Sequence, residues 1–342
     1  MGEIDAILSA AAACEARDEP YALATVVAVR GSSYRRPGAR LLVPRDASPV
    51  GIISGGCLEA EAAAHARNAL TAEATRLVTI DHSAEGDEVW GSGLGCRGII
   101  DLFVEPAEMA RETVAAMRAA MEGEPTVTLT TGDGDRRRLA PPEAEALGER
   151  AALAVARGRP TLIGDAVLDP HLPPMHLVIC GAGPDAEPLA ASALELGWRV
   201  TVADPRRRAL DPDRFPGAQL CGSAPPEVAN EVGADARTAA VVMSHNYLRD
   251  AEYLTGFLGR GLAYLGILGP RDRTERLFRE LADRGISLTV DDRMHLHAPA
   301  GLDIGADAPE EVATAVIAEI LAVLHGASGI PLRERPGPIH PD

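Results

Sequence analysis

The hydrophobic positions of the chain change period many times before residue 131 and settle into a simpler rhythm after residue 176. Helical spacing over 4–17, 58–70 and 107–122 is interleaved with short apolar or alternating runs at 22–29, 40–43, 49–53, 75–80, 98–104 and 126–131. These predict the helices and strands of a mixed α/β domain. Residues 176–180 form a continuous apolar run, as expected of a parallel strand buried on both faces. A glycine turn, a helical pattern over 185–196 and a second strand at 199–203 complete a βαβ unit. Apolar runs at 239–243 and 263–268 are followed by helical patterns at 248–258 and 274–284, and a helix over 310–324 closes the set. This succession predicts a Rossmann-type, doubly wound parallel sheet. Between the two patterns LDPHLPPM holds three prolines, which donate no hydrogen bond and keep their neighbours extended. The expected organisation is α/β with two domains: a mixed domain over 1–167, a linker at 168–175, a Rossmann-type domain over 176–327 and a proline-rich tail at 328–342.

Composition narrows the chemistry. The net charge of −17 repels nucleic acid and anionic membranes alike. The acidic first helix has no basic region of the kind a signal peptide carries, and no apolar run reaches the roughly 20 residues of a membrane span, so a cytoplasmic protein is expected. All 33 basic residues counted as lysine plus arginine are arginine, which removes P-loop, Schiff-base and pyridoxal phosphate chemistry. An anion site must then be built from arginines and backbone amides. Cys14, Cys57, Cys96, Cys180 and Cys221 are dispersed without paired spacing, the usage of reduced thiols.

Several segments carry candidate chemistry. Gly181-Ala182-Gly183-Pro184-Asp185-Ala186 fits G-x-G-x-x-A between a strand and a helix, and Asp204 ends the next strand, where an acid accepts from ribose hydroxyls. Pro184 removes one amide from that cradle and Asp185 opposes an anion, whereas Arg206, Arg207 and Arg208 favour one. His245 follows another strand end and is either a proton carrier or ligand, or a residue that only hydrogen-bonds a loop. His295 and His297, beside Asp291 and Asp292, form at most a sparse metal set. In the first domain, Ser32, Ser33, Arg35 and Arg36 lie in a glycine-bounded loop suited to an anion. Cys57 follows Gly55 and Gly56 at a helix start, and Cys96 ends a second glycine-rich loop. Taken singly each cysteine reads as a small buried side chain. Together they suggest a shared soft-ligand site able to contact molybdenum or sulfur.

The segments GSSYRRPGARLLV, GIISGGCLEAE, GLGCRGIIDLFVEP, LVICGAGPDAEPLA, MSHNYLRDAEYL, YLGILGPRDRTERL and PAGLDIGADAPEEVATAVIAEIL resemble, in order, the XdhC/CoxI family of xanthine dehydrogenase accessory factors. The resemblance implies a non-catalytic chaperone that binds molybdenum cofactor, as molybdopterin or its dinucleotide form. Such proteins protect the cofactor while a cysteine desulfurase exchanges an oxo ligand for sulfur, and deliver it to a molybdenum hydroxylase apoenzyme. It also implies cofactor contacts at Cys57 and Cys96, roles for Gly181, Gly183 and Asp204 in the nucleotide fold, and a role for Asp303 in the GLDIGA loop. Many relatives carry histidine where this chain has Pro184, and a segment richer in histidine and aspartate where it reads SHNYLRD. A homodimer is compatible with this reading. The competing reading is an NAD(P)-dependent oxidoreductase that uses the Rossmann domain, and a third is a structural adaptor without ligand.

Overall fold

The computed structural model describes residues 2–31, 34–56, 58–81 and 98–336. It divides into two compact units, Glu3–Pro173 and Met1–Gly2 with Pro174–Asp342.

The first unit begins with α1 (Glu3–Glu15), β1 (Tyr21–Gly31), β2 (Arg40–Pro44), β3 (Val50–Gly51), α2 (Glu59–Ala72), β4 (Arg76–Asp81), β5 (Gly98–Glu105) and α3 (Ala107–Met121). The strands pair in the antiparallel order β3-β2-β1-β5-β4. Alternation along β1 gives the sheet two apolar faces. Ala22, Ala24 and Val26 face the alanine-rich side of α2, where Ala62, Ala63 and Ala66 allow close approach. Tyr21 and Leu23 face the opposite way and pack on α1 and α3.

The segment 132–167, for which the periodicity offers no assignment, joins the strand expected at 126–131 in a second sheet. It consists of β6 (Thr126–Thr130), β7 (Arg136–Leu139), α4 (Pro141–Glu145), α5 (Glu149–Arg157), β8 (Thr161–Ile163) and β9 (Ala166–His171), with strand order β7-β6-β9-β8. Residues 168–171, expected in the linker, are therefore strand. Pro170 is accommodated because it pairs with Val127 of β6 beyond Leu168, the last residue of β9 that β8 reaches, so one side of the strand asks for no donor there. Val167 of β9 packs on Val27 and Phe103 of the first sheet. Buried ion pairs also join the two sheets: Arg40 holds Asp169 through bonds of 2.8 and 2.9 Å, and Arg136 pairs with Glu105.

The second unit contains β10 (His176–Cys180), α6 (Ala186–Glu195), β11 (Arg199–Ala203), β12 (Gln219–Cys221), α7 (Val228–Glu231), β13 (Thr238–Val242), α8 (Tyr247–Phe257), β14 (Tyr264–Ile267), α9 (Arg271–Asp283), α10 (Val290–His295), β15 (Leu296–His297) and α11 (Pro309–His325). All its strand pairs are parallel, in the order β12-β11-β10-β13-β14-β15, so it is a Rossmann-type sheet. Leu177, Ile179 and Val241 face α6 and α11, while Val178, Cys180 and Val242 face α7, α8 and α9. Both faces are covered, which is why these strands read as unbroken apolar runs. Among the described residues Cys14, Cys180 and Cys221 are free and buried, and burial pushes the Cys180 thiol well above its ordinary value. These three are packing residues.

Candidate functional site

The register of the first sheet gathers the candidate loops at one end. β1 ends at Gly31, opposite Gly98, where β5 begins, and β4 ends at Asp81, opposite Ile99. β3 runs from Val50, opposite Leu42, to Gly51, opposite Leu41, and so climbs toward the same end. The connection after Gly31, the turn after β3 and the chain on either side of 82–97 all leave the sheet there. Ser32, Ser33, Cys57 and Cys96 themselves lie outside the described residues.

The turn after β3 is fastened by its own polar groups. Glu59 accepts hydrogen bonds from the Ser54 amide at 2.9 Å, the Ser54 hydroxyl at 2.6 Å and the Ile53 amide at 3.3 Å. The Ser54 hydroxyl oxygen in turn accepts from the amides of Gly56 at 3.2 Å and Leu58 at 3.0 Å. Burial would raise the Glu59 carboxyl, but the Ser54 bonds hold it below its ordinary value. This network leaves Gly55 and Gly56 exposed, and a Cβ on either would meet nothing within 4 Å. Gly56 has a φ of 104°, which side chains rarely adopt, so glycine is required there for the turn's shape and not for lack of room. Beside the turn, a cavity of about 340 Å³ is lined by Leu41, Gly51, Glu59, Ala63 and Arg67.

The expected anion loop divides its two arginines. Arg35 is paired with Glu3 and is thereby neutralised. Arg36 lies near enough to Arg159, two residues past the end of α5, for its charge to act on it, and a Cβ on Gly38 would stand 3.4 Å from Pro160 Cδ. Arg159 escaped the sequence reading because about 120 residues separate it from Arg36, a distance that local pattern reasoning does not span.

In the second unit the structure brings Gly181, Gly183, Asp204 and His245 together at the carboxyl ends of β10, β11 and β13. Gly181 has a φ of 125°, and a Cβ there would lie 2.6 Å from Ser244 Cα and 2.7 Å from the Met243 carbonyl oxygen. Only glycine fits. Asp204 is fully buried, and its Oδ2 accepts from the Ala182 amide at 3.0 Å. Its Oδ1 accepts from the Arg206 amide at 2.9 Å, and the Arg206 guanidinium forks onto both oxygens at 3.0 and 2.7 Å. Burial opposes ionisation of Asp204, yet Arg206 and these amides hold its carboxyl below the usual range. The acid that commonly receives ribose hydroxyls is closed onto its own glycine turn. Arg214 completes the closure by donating to the carbonyl oxygens of Ala182 and Gly183, both at 3.3 Å. A nucleotide in the usual Rossmann pose would have to displace Arg206 from Asp204.

Across the turn, His245 Nε2 lies 3.0 Å from Asp185 Oδ2, and the histidine takes the left-handed φ of 54°. Strain of this kind in a bulky residue is kept where neighbours enforce it. Ser244 is held by Asp250 at 2.5 Å, Asp250 by Arg273 at 2.6 Å, and Asn246 caps α8 by accepting from the Arg249 amide. Asp303 is exposed in the loop before α11 and has no hydrogen bond to the glycine turn. Elsewhere, Thr289 caps α10 by accepting from the Asp292 amide while the Asp292 carboxylate accepts from the Thr289 amide, and His297 Nδ1 lies 3.3 Å from Glu319. Among the described residues no group of three or more His, Cys, Asp or Glu side chains is placed to hold a metal.

Comparison with known proteins adds four findings. Residues 177–320 match the profile of the XdhC Rossmann domain, and residues 14–81 match that of the XdhC and CoxI family. The chain is 31% identical to a probable xanthine dehydrogenase subunit of Bacillus subtilis (strain 168), over 89% of this chain and 93% of that protein. It is 26% identical to the molybdenum cofactor insertion chaperone PaoD of Escherichia coli (strain K12), over 88% of this chain and 82% of that one. A crystal structure of a protein called a xanthine dehydrogenase, from Bacillus halodurans, superimposes with a TM-score of 0.73 at 26% identity, covering 98% of both chains.

Proposed function

The chain belongs to the XdhC and CoxI family, and from that premise we propose that it is an accessory protein for a molybdenum hydroxylase. It receives molybdenum cofactor in its first unit, holds it while a cysteine desulfurase supplies sulfur, and passes it to the apoenzyme. The observation that carries this reading is the turn 54–58, where Ser54 and Glu59 hold two glycines open to approach from outside. Backbone so presented accepts a flat heteroaromatic ring or a bulky sulfur group that a side chain would repel. Cys57 follows directly in the sequence, and its thiol is the soft group this reading brings to the cofactor. Together with Cys96 it supplies the soft contacts of the site. The cofactor, when bound, brings the molybdenum and dithiolene chemistry that the client enzyme uses. The protein's own part is to bind, to shield from water and to release.

The relative named as a molybdenum cofactor insertion chaperone supports the delivery role. The competing oxidoreductase reading rests on the glycine turn and Asp204, and the internal commitment of both Asp204 oxygens weighs against it.

The test is retention. After anaerobic incubation with released molybdenum cofactor, pterin and molybdenum should co-elute with the protein on gel filtration, and Cys57→Ala and Cys96→Ala should each lower the amount retained. Free elution of the cofactor from the unaltered protein would overturn the proposal. Titration with NAD(H) and NADP(H) separates the rival: micromolar binding together with hydride transfer to a small substrate would install the oxidoreductase in its place.

A further inference from the structure

The cavity beside the turn 54–58 exists because the residues that line it have little side chain. Ala60 and Ala63 of α2 offer one methyl group each, and Gly51 of β3 offers bare backbone, since a Cβ there would collide with the Arg40 carbonyl oxygen. Leu41 and Ala63, both buried, make an apolar floor, and Pro49 adds a further apolar wall. At about 340 Å³ the space lies within the roughly 300–1,000 Å³ of small-molecule sites. Its two charged residues, Glu59 and Arg67, stand eight positions apart on α2, about 12 Å along the helix axis. The Glu59 carboxylate is engaged by the Ser54 and Ile53 amides and the Ser54 hydroxyl, bonds that favour its ionised form. Arg67 is exposed, donates to the Ala47 carbonyl oxygen at 3.3 Å, and has no ion pair among the described residues. Asp and Glu outnumber the arginines of this chain by 50 to 33, so a guanidinium with no carboxylate at the end of an apolar slot is placed for an anion from outside.

We propose that this slot takes a planar heteroaromatic ring that carries an anionic arm, the ring lying on Leu41 and Ala63 and the arm paired with Arg67. Methyl groups and bare backbone admit the flat face of a ring where longer side chains would fill the space. The guanidinium fork matches a phosphate or carboxylate, and the charge of Glu59 at the opposite end repels one. The ligand therefore has one orientation, its arm directed away from the turn and its ring end toward Gly55 and Gly56. Naming the ring as the pterin of molybdenum cofactor, and the arm as its phosphate ester, rests on the function proposed above; the slot's preference for such a ring and arm does not.

The experiment uses the full chain and two probes: a fluorescent pterin carboxylate, which has both ring and anionic arm, and the neutral methylpterin, which has the ring alone. The carboxylate should bind saturably, read as a rise in its fluorescence anisotropy, and more tightly than methylpterin. Arg67→Gln should weaken the carboxylate by about tenfold or more and leave methylpterin unchanged, and Arg67→Lys should restore part of the loss. Ala60→Leu, which fills the slot from an exposed position, should weaken both probes alike. All three variants should keep the melting temperature of the unaltered protein. Absence of saturable carboxylate binding to the unaltered protein would overturn the proposal, as would an Arg67→Gln or an Ala60→Leu protein that binds it with unchanged affinity. Cofactor retention then separates this site from the proposed function. Where the unaltered protein retains molybdenum cofactor, Arg67→Gln and Ala60→Leu should retain less; full retention in both removes the pterin assignment. Failure of the unaltered protein to retain cofactor, with probe binding intact, removes the proposed function and leaves the slot standing as a site for another ring of this class.

Discussion

Replacing Arg40 by methionine tests what joins the two sheets of the first unit. Arg40 lies on β2 and Asp169 on β9, both side chains are 9% exposed, and the guanidinium reaches both carboxylate oxygens at 2.8 and 2.9 Å and Thr25 Oγ1 at 3.0 Å. Burial would raise the Asp169 carboxyl, and Arg40 is the main group that instead holds it below its ordinary value. Arg40→Met keeps most of the side chain's volume and leaves a buried carboxylate beside His171, whose Nε2 lies 3.6 Å away and whose ring burial keeps neutral. Stranding one member of a buried pair costs about 3–5 kcal/mol. For a unit of this size each kcal/mol lowers the melting temperature by about 2–4 °C, so a fall of roughly 6–20 °C is expected in the calorimetric transition of the first unit. The double variant Arg40→Met with Asp169→Leu should recover most of that loss, since an apolar pair of similar volume stands in for a buried ion pair at little cost. A loss under about 1 kcal/mol in the single variant, or a double variant no more stable than the single, would refute the assignment of Arg40 and Asp169 as the joint between the sheets.

Three further outcomes are expected. Burial holds His171 and His176 neutral, with proton affinities lowered from 6.5 to about 4; the unfolded chain binds more protons between those values, so stability is complete above pH 6.5 and falls as pH drops toward 4. Urea midpoints measured across that range should decline, less steeply in His171→Asn, and a flat profile would contradict the burial argument. Gly181→Ala, with its Cβ 2.7 Å from the Met243 carbonyl oxygen, should destabilise the second unit by about 2 kcal/mol or more, and an unchanged melting curve would refute the steric reading. Asp204→Asn should cost about 1–3 kcal/mol through the lost charge on the Arg206 fork; weakened nucleotide binding with no change in stability would instead make Asp204 a ribose acceptor.

The Rossmann sheet was legible because its strands are buried on both faces. Val178 and Ile179 point to opposite sides and both must be apolar, so the run from His176 to Cys180 announces itself without knowledge of any partner. Helix α9 begins three residues before the pattern predicts, because Arg271, Asp272 and Arg273 in its first turn are polar and only Thr274, Leu277 and Leu281 face the core. Strand β15 and helix α10 are too short for any period to register. In the second sheet of the first unit, β7 reads as three successive arginines followed by leucine. Arg136 turns inward to Glu105, so a charge stands where the pattern of a strand calls for an apolar residue.

The candidate site divides along the same line. Local chain chemistry identified the glycine turns, because a glycine with a φ of 104° or 125° sits in a short motif with a recognisable rhythm. By itself the sequence determined the parallel sheet, the all-arginine basic complement and the loops that leave the first sheet. Tertiary structure decided how their charges are spent. Folding couples Asp204 to Arg206 and the Ala182 amide, Arg35 to Glu3, and brings Arg36 near Arg159. A charge acquires its role from whatever lies within a few ångströms of it. For Arg36 one such neighbour, Arg159, lies more than a hundred positions away, brought near by the packing of one sheet on the other, which no local period encodes.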